Sequence, residues 1–342
     1  MINFQPQFVN VLTSLFDAPA VIVPHDSPFD AAAEVGGHTL LAHFKSDATA
    51  PRIRAGIHQV KRYSNVAFSG QIPLLVVPFM TERGKQHCKA ENVSWMDLSG
   101  NASIRGMDLI VRTSGQSNQF KKRGRPRNPF ALKSSRVVRL MLANPDRSFR
   151  QHELAEAANI SAVLTSHAVS GLIHDGFLER LQDRSVRLIE PDQLLAAWKK
   201  AYSLDGHTVL RGHTSAGSGR AGTEQLWSIL WQHGVEHAFT GLSAAWMIAP
   251  MSMYRISSVY LKEQPSPELL SALRFEEESR GANTWLIIPN DDGVFWGTKE
   301  YESMPVVSPL QVLLDLKDHP ERSEEAAEEI QKKFFPWADQ KL

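Results

Sequence analysis

Apolar positions along this chain recur with two periods, two residues and 3.6 residues, and their succession predicts the elements. Phe8 to Leu15 has helical spacing, His38 to Lys45 reads as a strand, and Ala55 to Tyr63 returns to the helical period. Pro73 to Phe79 is a continuous apolar run of the kind a strand shows when both faces are covered. Thr81 is placed to cap a helix over Glu82 to Ala90, and two strand-like pieces follow, Val93 to Leu98 and Ala102 to Val111, around the turn Ser99-Gly100-Asn101. Strands alternating with helices predict an α/β domain over residues 1–116.

The rhythm then becomes helical. Leu132 to Asn144 carries Val137, Val138, Leu140, Met141 and Leu142, with Arg136 and Arg139 among them, and Asn144-Pro145 stops it. Ser148 is placed to cap a second helix, Arg150 to Ala158. Ser161 opens a third that runs to Asp175 and ends at Gly176. Two short strands follow, Phe177 to Leu181 and Arg184 to Ile189, and a helix over Asp192 to Ala201 closes residues 129–202. Three helices and a hairpin are the layout of a winged helix-turn-helix, whose third helix enters the major groove. Val163, Leu164, Ala168, Leu172 and Ile173 are expected to face the core. Thr165, Ser166, His167 and Ser170 are expected to face outward toward bases and phosphates, with Arg180, Arg184 and Arg187 on the wing.

Residues 203–222 are rich in Gly, Ser, Thr and His and read as a linker, with His207, His213 and the later His233 in solvated loops rather than at a metal. From 223 to 342 the order is mixed again. A helix over Glu224 to His233 precedes the turn Thr240-Gly241-Leu242-Ser243, which opens a small-residue helix. Strands are expected at Tyr254 to Leu261 and Thr284 to Pro289, with a helix over Pro267 to Leu273 between them. A hairpin around Asp291-Asp292-Gly293 and helices over Leu310 to Lys317 and Glu321 to Phe335 complete the chain. The expected fold is therefore multidomain α/β around a central winged helix.

Charge sharpens this picture. The 342 residues carry 37 Lys/Arg and 37 Asp/Glu, formally neutral, yet Gln119 to Glu190 holds 13 Lys/Arg against 7 Asp/Glu, leaving an excess of acid elsewhere. A basic middle in a neutral chain implies local capture of an anion. The densest part is the linker 117–128, where Lys121, Lys122, Arg123, Arg125 and Arg127 surround Gly124 and Pro126. An extended cationic ribbon suits the minor groove of A·T-rich duplex, and Arg123 to Arg127 resembles an AT-hook. Cys88 is the single cysteine, which excludes an intrachain disulfide and a cysteine zinc site. No apolar run reaches membrane length and no signal-peptide pattern opens the chain, so a cytoplasmic protein is expected, with no cofactor and no metal.

Three resemblances add to these readings. The element order of residues 1–116 resembles a restriction-endonuclease-like fold, in which an acid, a spacer and a lysine on one strand, with a further acid, hold a metal. Here the strand reads His43-Phe44-Lys45, Gln59 to Tyr63 is similar to a Gln-x-x-x-Tyr feature of exonuclease-type members, and Asp30, Glu34 and Asp97 lack the expected spacing to Lys45. The domain is expected to be inactive, with Asp97 and Asn101 holding their own turn together. Gly241-Leu242-Ser243 before a helix resembles the nucleotidyltransferase fold, but Arg255 to Leu261 has no carboxylate, so this domain is also expected to be inactive.

The strand-turn Asp97 to Ala102, the helical region introduced by Asn128-Pro129-Phe130, Thr240 to Trp246 and the end helices from Pro309 to Ile330 together resemble AbiEi-type antitoxins of type IV toxin–antitoxin systems. The resemblance implies a non-enzymatic transcriptional regulator. It would bind double-stranded DNA, repress its own operon and oppose a nucleotidyltransferase-like toxin, with a homodimer left open. A metal-dependent DNase targeted by the winged helix and a protein-interaction scaffold are the alternatives.

Overall fold

The computed structural model describes residues 4–64, 70–120, 128–250, 254–278, 280–321 and 323–338. It divides into two compact units, residues 1–127 with 170–179, and residues 128–169 with 180–342.

The first unit is a sheet with helices on both faces. Its elements are α1 (Phe4–Phe16), β1 (Ala20–Val23), β2 (Ala31–Val35), β3 (His38–Phe44), α2 (Ala50–Ser64), β4 (Gln71–Val77), α3 (Glu82–Ala90), β5 (Ser94–Asp97), β6 (Ala102–Arg105) and β7 (Ile110–Thr113). All seven strands lie in sequence order, with β3, β4 and β5 parallel and the flanking pairs antiparallel. Side chains alternate across a strand, so Leu40, Ala42, Leu74 and Val76 meet Phe8 and Leu12 of α1 on one face. Leu41, Leu75 and Val77 meet Ile53, Ile57, Val60 and Cys88 of α2 and α3 on the other. This two-sided burial is why Leu74 to Val77 contains no polar residue. Thr81 caps α3 as expected, its hydroxyl accepting from Gly84 N at 3.1 Å.

Three expectations for this unit need correction. Strands β1 and β2 had no place in the sequence reading. The expected strand Ala102 to Val111 is a hairpin, β6 and β7. Asp30, which lacked the right spacing in sequence, stands beside Lys45 in space.

In the second unit, and in the part of its helical region that groups with the first, the chain runs α4 (Ser135–Ala143), α5 (Gln151–Ala157), α6 (Ala162–His174), β8 (Leu178–Arg180), β9 (Val186–Leu188) and α7 (Pro191–Ala201). Strands β8 and β9 form a two-stranded sheet, which Phe149 joins through a bridge to Val186. Ser161 opens α6, its hydroxyl accepting from Leu164 N at 3.2 Å. Ser148 does not open α5. That end is closed at Arg150, whose backbone N–H donates to Glu153 Oε2 at 2.8 Å.

The remainder is β10 (Thr208–His213), α8 (Gly219–Gln232), β11 (His237–Thr240), α9 (Gly241–Ile248), β12 (Ser257–Leu261), α10 (Pro267–Leu273), β13 (Glu276–Glu277), β14 (Thr284–Ile288), β15 (Lys299–Tyr301), β16 (Met304–Val306), α11 (Pro309–Asp315) and α12 (Ser323–Phe334). The strands form one mixed sheet in the order β13-β10-β14-β12-β11-β16-β15. Residues 203–222 are therefore not a plain linker. They supply β10, which pairs antiparallel with β14 from Thr208↔Ile288 to Gly212↔Thr284. Gly212 is needed there because a Cβ would lie 2.4 Å from Glu276 O on the neighbouring strand. The hairpin expected at Asp291-Asp292-Gly293 is a 3-10 turn over Asp292–Phe295, and the hairpin itself comes later, between β15 and β16.

Candidate functional site

Helix α6 presents a different face from the one expected. Thr165 is fully buried and donates its hydroxyl to Ser161 O at 3.0 Å, so it is withdrawn from the outward-facing set. Val163, assigned to the core, is 66% exposed. Thr165, Ala168, Val169 and Leu172 form the inward stripe, a rotation that the helical period allows once a threonine satisfies its own hydroxyl. His167 is exposed, and Ser166 and Ser170 are half-buried. Arg180, Arg184 and Arg187 are exposed on and between β8 and β9, with Arg180 Nη1 donating to Arg184 O at 3.3 Å. Lys121, Lys122, Arg123, Arg125 and Arg127 lie outside the described residues.

Two cations counted in the basic middle face inward. Arg136 and Arg139 on α4 are 9% and 7% exposed. Arg136 Nε donates to Asp291 at 2.8 and 3.1 Å, Nη1 reaches Ala158 O at 3.3 Å, and the guanidinium lies 5.3 Å from the Trp296 ring centre. Arg139 Nη2 donates to Gln311 Oε1 at 2.7 Å, with its guanidinium 5.2 Å from the Trp198 ring centre. Helix α4 is thus joined to the C-terminal sheet by charge as well as by apolar packing. The local basic excess overstates what faces solvent.

Behind Gln311 lies a buried polar network. Asp315, 2% exposed, accepts from Tyr202, from Thr240, from Tyr260 at 3.0 Å and from Gln311 Nε2 at 2.8 Å. Burial pushes its carboxyl up to about 6 against the pull of those four donors. His207 Nδ1 accepts from Asn290 N at 3.1 Å, which leaves the ring proton on Nε2, 3.0 Å from the Tyr202 hydroxyl. Burial, helped by the Arg139 charge, lowers the His207 pKa to about 4, so the ring is neutral at pH 7. His207 therefore belongs to the network and not to a solvated loop. No sequence signal marks this set, because Tyr202, His207, Tyr260, Gln311 and Asp315 come from five separate segments.

The first unit gathers its own cluster. His43 Nδ1 lies 2.9 Å from Asp30 Oδ2, Asp30 Oδ2 also accepts from Phe44 N at 2.7 Å, and Gln59 Oε1 takes His43 Nε2 at 2.5 Å together with the Lys45 amine. Tyr63, one turn along α2 from Gln59, lies edge-on to His43. Burial pushes the Asp30 carboxyl up, but His43, the Phe44 amide and Lys45 together hold it below its ordinary value. Burial lowers the Lys45 amine. Glu34 is exposed on β2, away from this set. Asp97 is fully buried and accepts from Met80 N, Ser99 N, Asn101 N and Asn101 Nδ2 at 2.9–3.0 Å, so it holds the turn as expected. Among the described residues no three His, Cys, Asp or Glu side chains gather as a metal site.

At the turn into α9, Gly241 has φ +58°. The Ser243 hydroxyl donates to Thr240 O at 2.9 Å and accepts from Ser258 N at 3.2 Å, so it is engaged with β12. No helix among the described residues is long and apolar enough to cross a membrane.

Comparison with known proteins places one family on this geometry. The family model described as transcriptional regulator, AbiEi antitoxin, type IV TA system matches residues 187–335, from β9 through α12. No curated protein and no solved structure matches the chain.

Proposed function

We propose, from the AbiEi antitoxin match over residues 187–335, that this chain is the DNA-binding regulator and antitoxin of a type IV toxin–antitoxin pair and represses its own operon. The observation that carries the reading is where the match falls: it begins on the second strand of a three-helix-plus-hairpin region. That layout is the one a winged helix uses to place its third helix in the major groove. Exposed His167 on α6 and exposed Arg180, Arg184 and Arg187 beside it in sequence fit base and phosphate contact respectively. The partner is a nucleotidyltransferase-like toxin, with double-stranded DNA as the second ligand.

The flanking domains act without catalysis in this reading. The order helix, three strands, helix, strand at the start of the chain supports an endonuclease-like scaffold, but a histidine occupies the central acid position and Gln59 engages the lysine amine. The β11–α9–β12 arrangement supports a nucleotidyltransferase-like scaffold whose serine is tied to β12 and whose β12 carries no carboxylate.

Fluorescence anisotropy on duplex from upstream of the gene tests the proposal. Affinity should fall with salt by about 0.9 log unit per log unit for each phosphate neutralised. Arg184→Ala should lower that slope by about one and weaken all sequences alike. His167→Ala should change which sequence is preferred. No duplex binding at low salt would overturn the reading. Magnesium-dependent cleavage lost in Lys45→Ala would establish the nuclease alternative instead.

A further inference from the structure

Between α4, the end of α7 and the turn after β14 lies a cavity of about 240 Å³, within the second unit. Taking about 30 Å³ per water, that is space for roughly eight waters or a molecule of single-ring size. Its lining includes Phe130, Ser135, Arg139, Trp198, Tyr202 and Asn290.

Arg139 is the exceptional member. It is 7% exposed, and its Nε and Nη1 have no hydrogen-bond partner. An arginine cannot shed its proton to escape burial. Its neighbours do not supply a direct counter-ion. Asp291, also on the cavity wall, is held by Arg136 and accepts from Gly293 N at 2.8 Å. Asp315 takes four donors and reaches Arg139 only through Gln311, whose Oε1 accepts from Arg139 while its Nε2 donates to Asp315. A desolvated cation with two donor positions unfilled is therefore built into the wall of a space rimmed by three aromatic rings.

We propose that this cavity binds a small organic oxyanion, a carboxylate on a flat ring-bearing body. The oxyanion would accept from Nε or Nη1 of Arg139, and the ring would lie among Phe130, Trp198 and Tyr202. Charge-assisted bonds of this type are stronger than neutral ones, and aromatic walls favour a planar ligand. Occupancy ties α4 to α11, because Arg139 and its partner Gln311 sit on those two helices. The inference does not depend on DNA binding.

Isothermal titration of the full chain tests it, with benzoate as the ring-bearing carboxylate, benzamide as its neutral isostere and inorganic phosphate as an oxyanion with no ring. Benzoate should give saturable heat at one site per chain, with benzamide and phosphate at least about tenfold weaker. Arg139→Gln should weaken benzoate by about thirtyfold or more, the effect of removing one side of a buried charged contact. Ala201→Trp, which leaves the arginine in place and fills space at the cavity wall, should also abolish binding, and it decides the matter if Arg139→Gln does not fold. No saturable benzoate binding, equal binding of benzamide, preference for phosphate, or benzoate binding unchanged by Ala201→Trp would each overturn the assignment.

Discussion

Asp291→Asn separates the charge of the α4 contact from its packing. The side chains of Arg136 and Asp291 are each 10% exposed, with Nε at 2.8 Å from one carboxylate oxygen and 3.1 Å from the other. The amide keeps the shape and still offers Gly293 N an acceptor, but it leaves Arg136 as a buried charge with only carbonyl partners. Removing one member of such a pair destabilises by about 3–5 kcal/mol. For a folding unit of this size that is a fall in Tm of roughly 6–20 °C. Urea unfolding of the parent, Asp291→Asn, Arg136→Met and the double variant closes a double-mutant cycle. The double variant should be more stable than Asp291→Asn alone, with a coupling above about 1 kcal/mol, since an uncharged pair no longer strands a guanidinium. A loss below about 1 kcal/mol for Asp291→Asn, with coupling near zero, would mean that water reaches the pair and that the contact does not hold α4 to the sheet.

Other expectations can be measured in the same way. Asp97→Ala strips the acceptor from four donors in the first unit and should destabilise by more than about 3 kcal/mol in urea unfolding; a loss under about 1 kcal/mol would contradict the turn-holding role. On α6, Val163→Ser should change stability by less than about 0.5 kcal/mol, whereas Thr165→Asp should cost several kcal/mol, and the reverse order would restore the face expected from sequence. The folded protein holds His207 and His319 down to about 4, so an unfolded chain takes up protons below pH 6.5 that the native state refuses, and stability is lost as pH falls from 6.5 toward 4. Asp315 acts in the opposite sense between 3.8 and about 6, because its raised pKa makes the native state the better proton acceptor. Two groups oppose one, so the urea midpoint should drop between pH 7 and pH 4.5, and the drop should shrink in His319→Gln. A midpoint that rises on acidification would refute the balance.

Much of the fold is legible in the residues themselves. The run Leu74 to Val77 announces a strand buried on both faces, Thr81 announces a helix start, and the helices α4, α5 and α6 fall where apolar spacing puts them. The misses have physical causes. Strand β2 is Ala31-Ala32-Ala33-Glu34-Val35, a composition with little strand preference, and it exists because its neighbours pair with it on both sides. Strand β10 is hidden in a stretch rich in Gly, Ser and His. Its Val209 and Leu210 gain from burial only when β14 arrives from more than seventy residues away. The α6 face was misjudged because a threonine that satisfies its own hydroxyl can be buried as readily as a valine.

The candidate sites divide along the same line. Exposed His167 and the wing arginines were identifiable from local pattern, as was the lysine of His43-Phe44-Lys45. The meeting of Asp30 with that lysine was not. Local periodicity and capping are set by groups three or four residues apart, and the chain alone determined them. Arg136 meets Asp291 across 155 positions, and Arg139 meets Gln311 across 172. Nothing near those arginines in sequence distinguishes a guanidinium bound for a phosphate from one bound for the interior. Only folding, by bringing a carboxylate, an amide and an aromatic-walled cavity to α4, decided which they became.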